Sequence, residues 1–310
     1  MPLAALGRLA RTATVLAVGT LTIAGCAQAV ISLQYPTHPQ AVPAVGRLVS
    51  DDPLLAQEAK VEIASLGEGA MPELLRRMQD SSPEGRVRIV EIATQIGRPT
   101  SIVGLIYGKA VKDPAVQVRQ AAAFQGARKT ELAAVTTQPL RSLLEDPVPE
   151  VRAAALSTLG GFGSETALSH SEVVLMIGDR DPLIAATAAS VALSRNDASF
   201  QAPLTRALPR LIANLHAQKP ATRAAVVSAL GLYREQASPA VPPLVTVARH
   251  DPVPEIRMKA AIALSRIGTP AAADASKETF QAFSTSEKPA LKALAQGYLR
   301  PASEPAAAPE

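Results

Sequence analysis

Aromatic side chains are scarce in this sequence: they make up 3% of 310 residues, and Trp is absent. With 47% apolar residues the interior has to come largely from Ala, Leu, Val and Ile, which favours closely packed helices. Cysteine is nearly absent as well. One Cys rules out an internal disulfide framework, and no Cys and His cluster has the spacing of a structural zinc site. There is no glycine-rich phosphate loop, and no Ser, Cys or Thr stands in a recognisable activating context. The sequence therefore points away from an enzyme and implies no cofactor and no metal. A basic track interleaved with aromatics is missing too, which argues against nucleic acid as a partner.

What is present begins with a targeting segment. Arg8 and Arg11 form a basic start, and Thr12 to Gly25 is an apolar run of 14 residues without a charge. A membrane-spanning helix needs about 20, so a secretory signal fits better than a span. The run ends in Ile23-Ala24-Gly25-Cys26, which resembles the bacterial lipobox and carries the chain's single cysteine. The alternative is a buried Cys in an uncleaved anchor helix. The resemblance implies a signal peptide over residues 1–25, lipidation of Cys26 and stable anchoring through more than one acyl chain. It further implies an exported lipoprotein of the cell envelope. Ala27 after the cysteine favours the outer membrane, facing the periplasm, in a Gram-negative cell. Loss of residues 1–25 removes Arg8 and Arg11 and no acid, leaving a formal balance of +2. Charge thus says little about partners. Residues 26–50, with Pro36, Pro39 and Pro43, read as a flexible tether, and residues 301–310, composed of Pro, Ala, Ser and Glu, as a disordered tail.

Between them runs a repeat. A small polar residue or Lys followed by Pro recurs at Asp52, Ser82, Asp113, Asp146, Asp181, Lys219 and Asp251, at intervals of 30, 31, 33, 35, 38 and 32 residues. An Ala-rich stretch with an early Arg follows most of them, clearest from Val151-Arg152 and Ile256-Arg257, with partial copies at Val87-Arg88, Val118-Arg119 and Thr222-Arg223. Asp before Pro predicts a helix start, and Gly67, Gly97, Gly160, Gly231 and Gly268 predict left-handed helix ends. Shorter apolar stretches, such as 71–79, 102–111, 139–145, 173–177, 208–216 and 241–248, predict a preceding helix in each unit. Each unit is a helical hairpin.

These units resemble HEAT repeats of the short class often described as PBS-lyase HEAT-like, over residues 51–300. The resemblance implies an all-α, right-handed α-solenoid of stacked hairpins, HEAT/armadillo-like, with about seven to eight repeats. It implies a scaffold that binds a protein or peptide along the concave side lined by second helices. An enzyme of the bilin-lyase-like class is the alternative. Glu58, Thr187 and the early Arg223 depart from the pattern.

Asp113, Arg119, Asp146, Arg152, Asp251 and Arg257 are expected to serve structure at the seams between repeats. The positions one and five after each Arg are the candidate partner-binding stripe: Gln120, Phe124, Ala153, Ser157, Ala224, Ser228, Met258 and Ile262. Phe124, Met258 and Ile262 could equally be inter-repeat core. His170, between Glu165 and Glu172, has spacing too loose for a metal site, and His216 and His250 stand at the ends of first helices, where a cation suits the dipole.

Overall fold

A computed structural model of the protein describes residues 37–98, 100–126, 129–163 and 167–300. The signal segment, Cys26 and residues 301–310 lie outside the described residues. Among the described residues all regular structure is helical, and the fold is an α-solenoid. The chain divides into two compact units, one up to Ser142 and one from Leu143.

The first unit holds α1 (Ala41–Leu48), α2 (Pro53–Leu66), α3 (Met71–Arg77), α4 (Pro83–Ile96), α5 (Ser101–Ala110), α6 (Val116–Gly126) and α7 (Ala133–Ser142). The second holds α8 (Pro149–Gly161), α9 (His170–Ile177), α10 (Pro182–Arg195), α11 (Gln201–Ala213), α12 (Pro220–Leu232), α13 (Val241–His250), α14 (Pro254–Ile267), α15 (Pro270–Phe283) and α16 (Pro289–Leu299). Odd-numbered helices are the first helices of the repeats and even-numbered ones the second. Within each unit, second helix packs on second helix, as α4 does on α6 and α12 on α14, while α3 packs on α5 and α13 on α15. Neither layer could bury its apolar side alone.

The folded part starts earlier than residue 51. Residues 41–48 are α1 and not tether, with Ala41, Ala44, Val45 and Leu48 buried at helical spacing. Pro43 stands in the first turn, where its missing N–H leaves no helical bond unmade. Arg88 Nη1 closes the far end of α1 by donating to Leu48 O at 3.1 Å and Ser50 O at 2.6 Å. That employs Arg88, which is thus not the repeated arginine.

The register also shifts. Asp52, Ser82 and Asp181 do accept from the first turn of a helix. Asp113, Asp146 and Asp251 do not cap; their helices start three residues later, and each Oδ1 accepts from the N–H two residues on, Ala115, Val148 and Val253, at 2.9 Å. Asp179 accepts from Asp181 N at 2.7 Å, and Ser286 from Lys288 N at 3.2 Å, in the same kind of turn. Counted from that turn, Arg86, Arg119, Arg152, Arg223 and Arg257 share one position, and Ala185 holds it in α10. Arg223 is in register and not early.

Two of the predicted helix-ending glycines do another job. Gly67 and Gly268 end helices with φ of +54° and +76°, but Gly97 ends α4 in extended backbone. Gly160 and Gly231 lie inside α8 and α12. A Cβ on Gly160 would fall 2.5 Å from Val191 Cγ2, and one on Gly231 would fall 2.9 Å from Ala263 Cα. Both stand eight residues after the repeated Arg and meet the residue six after the equivalent position of the next repeat, so they mark where second helices approach most closely.

Candidate functional site

The repeated arginine builds a seam. Arg86 Nε donates to Asp113 Oδ2 at 2.6 Å and Nη2 to Oδ1 at 2.7 Å. Arg223 holds Asp251 in the same fork at 2.6 and 3.0 Å, with both side chains buried. The remaining Nη1 turns back on its own repeat: from Arg223 to Ala217 O at 2.9 Å, from Arg119 to Asp113 O at 2.8 Å and from Arg152 to Asp146 O at 2.8 Å. One side chain thereby ties the turn before its helix to the next repeat. Burial works against ionisation of Asp251, but the bonds from Arg223 and the Val253 N–H prevail and hold its carboxyl below the usual range. The Asp113 bond raises the Arg86 pKa. Arg152 makes a looser contact, 3.6 Å from Asp181, with each side chain about a quarter exposed. Such geometry holds each charge against its partner.

The second helices also present the predicted stripe, and its residues part company. Phe124 is 69% exposed on α6 and Ser157 is exposed on α8, whereas Gln120 and Ser228 are half-buried. Met258 is 2% exposed and belongs to the core with Ala261, Phe280 and Phe283, and Ile262 packs partly buried against that cluster. Met258 is interior and Ile262 partly covered because α15 brings Phe280 and Phe283, and α16 Leu291 and Ala295, onto α14. Val61, at the same repeat position on α2 as Phe124 on α6, is 71% exposed. The sequence pattern missed it because α2 lacks the arginine that sets the register.

A groove of about 550 Å³ lies beside this stripe, lined by Lys60, Glu91, Thr94, Gln95, Gln125 and Lys129. Lys60 Nζ is 3.2 Å from Glu91 Oε2, and Lys129 Nζ donates to Gly97 O at 2.7 Å, so the second-helix layer is locally tied by polar contacts. Gln125 follows Phe124 directly. An exposed ring next to amide groups is what an extended partner segment would use, the ring for apolar contact and the amides for backbone hydrogen bonds.

His170 begins α9 and stacks on Phe200 with ring centres 4.3 Å apart, its Nδ1 3.2 Å from Ser199 Oγ. Glu172 completes a capping box with Ser169, so its carboxylate is already engaged. Glu165 lies outside the described residues. His216 and His250 are exposed at the ends of their first-helix segments. Among the described residues no group of three or more His, Cys, Asp or Glu is placed to hold a metal ion, and no helix is long and apolar enough to cross a membrane.

Family models for HEAT repeats match residues 208–295 and, for a single HEAT repeat, residues 137–165. The chain contains HEAT repeats. The second match spans α8, which bears Arg152, and the first spans α12 and α14, which bear Arg223 and Arg257. No curated protein matches the chain. Among solved structures, the designed armadillo repeat protein YIII(Dq.V1)4CPAF in complex with peptide (KR)4 aligns at 21% identity and a TM-score of 0.37, covering 62% of this chain and 98% of that one. Human deoxyhypusine hydroxylase in complex with glycerol aligns at 18% identity and a TM-score of 0.36, covering 84% and 94%. HEAT repeats are thus recognised over these two stretches of an all-helical repeat.

Proposed function

We propose that this protein is a lipid-anchored HEAT-repeat scaffold of the bacterial cell envelope that binds a protein or peptide along its second helices and catalyses no reaction. The observation that carries the binding role is Phe124, a large ring held 69% exposed on a second helix beside a polar groove. An exposed ring in a chain with so few aromatics is a strong anchor for a partner. The anchoring role rests on the sequence Ile23-Ala24-Gly25-Cys26, and the envelope location on the apolar segment before it.

Two measurements test these halves separately. Crosslinked recovery from membranes should fall about tenfold for Phe124→Ala, while Leu175→Glu, which alters a residue 76% exposed on the first helix α9, should recover partners as the parent does. The reverse ranking, with both variants folded, would move binding to the first helices. Cys26→Ser should stop incorporation of labelled fatty acid, and equal labelling of parent and variant would remove the lipid anchor.

A further inference from the structure

The arginine of α14 differs from its counterparts in α4 and α12. Arg86 and Arg223 each hold the Asp of the next repeat through Nε and Nη2. After α14 that place belongs to Ser286. Its hydroxyl accepts from Lys288 N at 3.2 Å, as Asp251 accepts from Val253 N at 2.9 Å, so the turn is kept and the carboxylate is gone. Arg257 Nε is accordingly buried without a hydrogen-bond partner, and the guanidinium carbon lies 5.4 Å from the centre of the Phe283 ring.

Arg257 lines a cavity of about 260 Å³ together with Ala248, Arg249, Glu278, Thr279, Ala282 and Phe283. The Thr279 hydroxyl already donates to Ala275 O at 3.0 Å. The ion pair of Arg249 with Glu278, 2.7 Å long, stands at the same cavity. Asp251 and Glu255 lie near enough to feel the Arg257 charge, but neither has a hydrogen bond to it.

We propose that this cavity binds a carboxylate, that of a Glu or Asp side chain on a peptide, which takes on Arg257 the place Asp113 takes on Arg86. The assignment to a peptide rests on the binding function proposed above; the carboxylate site itself rests on the geometry. The fork that Arg86 and Arg223 use at this position is a carboxylate fork. Glu278 beside the cavity repels a doubly charged anion more than a singly charged one, which disfavours phosphate. The Ala248 and Ala282 methyls and the Phe283 ring in its wall suit a short aliphatic stem.

The test is a titration of the full chain, followed by the ¹⁵N–¹H signal of Arg257 Nε. N-acetylglutamic acid amide should move that signal to saturation, and N-acetylglutamine amide should not. Ser286→Asp supplies the missing internal carboxylate, so it should weaken the probe by roughly tenfold or more and raise the thermal midpoint. Arg257→Lys keeps the charge without the fork and removes the Nε signal, so its binding is read by titration calorimetry beside the parent; it should weaken the probe as well, which preserves the test if Ser286→Asp misfolds. A response to N-acetylalanine alone would overturn the side-chain source in favour of a chain-terminal carboxylate. Equal responses to the acid and amide probes, or undiminished binding in both variants, would overturn the site. None of these readouts involves the partner recovered through Phe124, so the two proposals fail independently.

Discussion

Arg223 and Arg152 occupy one repeat position yet differ in what their removal should do. Arg223 and Asp251 are both buried and doubly bonded, so Arg223→Ala strands a carboxylate in the interior and should cost about 3 kcal/mol in urea unfolding. Arg152 meets Asp181 at 3.6 Å with both ends partly in water, and Arg152→Ala should cost about 1 kcal/mol. Equal losses would mean that the backbone bonds from Nη1, and not the carboxylate fork, carry the seam. The same pair sets an acid response. The Asp251 pKa is lowered in the folded protein from its ordinary 3.8, so its stabilisation is complete above that value and is lost as pH falls through it and below. Asp251→Asn should lower the thermal midpoint at about pH 7 and flatten its decline towards about pH 3, because the group that must take up a proton on unfolding is gone. A decline as steep as the parent's would place the acid sensitivity elsewhere, with Glu73 the next group to replace. Burial opposes its charge, but hydrogen bonds from Arg76 and Arg77 lower its pKa.

At the scale of the helix, glycine decides how closely neighbours approach. Gly231→Ala improves the intrinsic helix propensity of α12 by about 0.5–1 kcal/mol. The new Cβ would sit 2.9 Å from Ala263 Cα, a backbone atom that moves only if α14 moves. Overpacking of this kind costs about 1–3 kcal/mol, so the net effect should be destabilising, read as a lower midpoint in denaturant. Gly161, one residue beyond Gly160 in α8, has open space where a Cβ would go, and Gly161→Ala should be neutral or stabilising. A gain in both variants would show that the helices separate freely. The seam after α10 follows a related logic. Ala185 stands where an arginine would be and Ala217 where its Asp partner would be, so charge is absent from both sides and nothing is stranded. Ala185 borders a cavity of about 170 Å³ with Arg206 and Arg210 beside it.

For the molecule as a whole, stability is a sum of repeats and the seams between them. Damage should therefore stay local. Asp113→Ala, which removes the partner of Arg86 in the first unit, should raise amide exchange in α4 and α6 by about tenfold or more while α12 and α14 keep their protection. Uniform loss of protection over both units would mean that the chain unfolds as one cooperative body. The hairpin succession was legible because Pro opens most second helices and Asp or Gly punctuates the turns, and such signals act within a few residues of chain. Where the proline of a first turn looked like a tether, at Pro43, the local signal misled: only burial of Ala41, Ala44, Val45 and Leu48 against other helices makes α1 a helix.

Composition and periodicity alone determine an all-helical repeat with small-residue interfaces, a single cysteine behind an apolar segment, and an arginine in most second helices. Tertiary structure decides everything that depends on a neighbour's distance. It places Met258 in the core and Phe124 in water although both stand in the same stripe, because α15 and α16 cover the one and no described side chain covers the other to the same degree. It turns Gly160 and Gly231 from helix ends into contact points, and it separates Arg88 from Arg86, two residues apart in sequence and assigned to different ends of different helices. It leaves Arg257 with an arginine's fork and no carboxylate, since a side chain's partner is fixed by the repeat packed against it and not by the residues beside it in the chain.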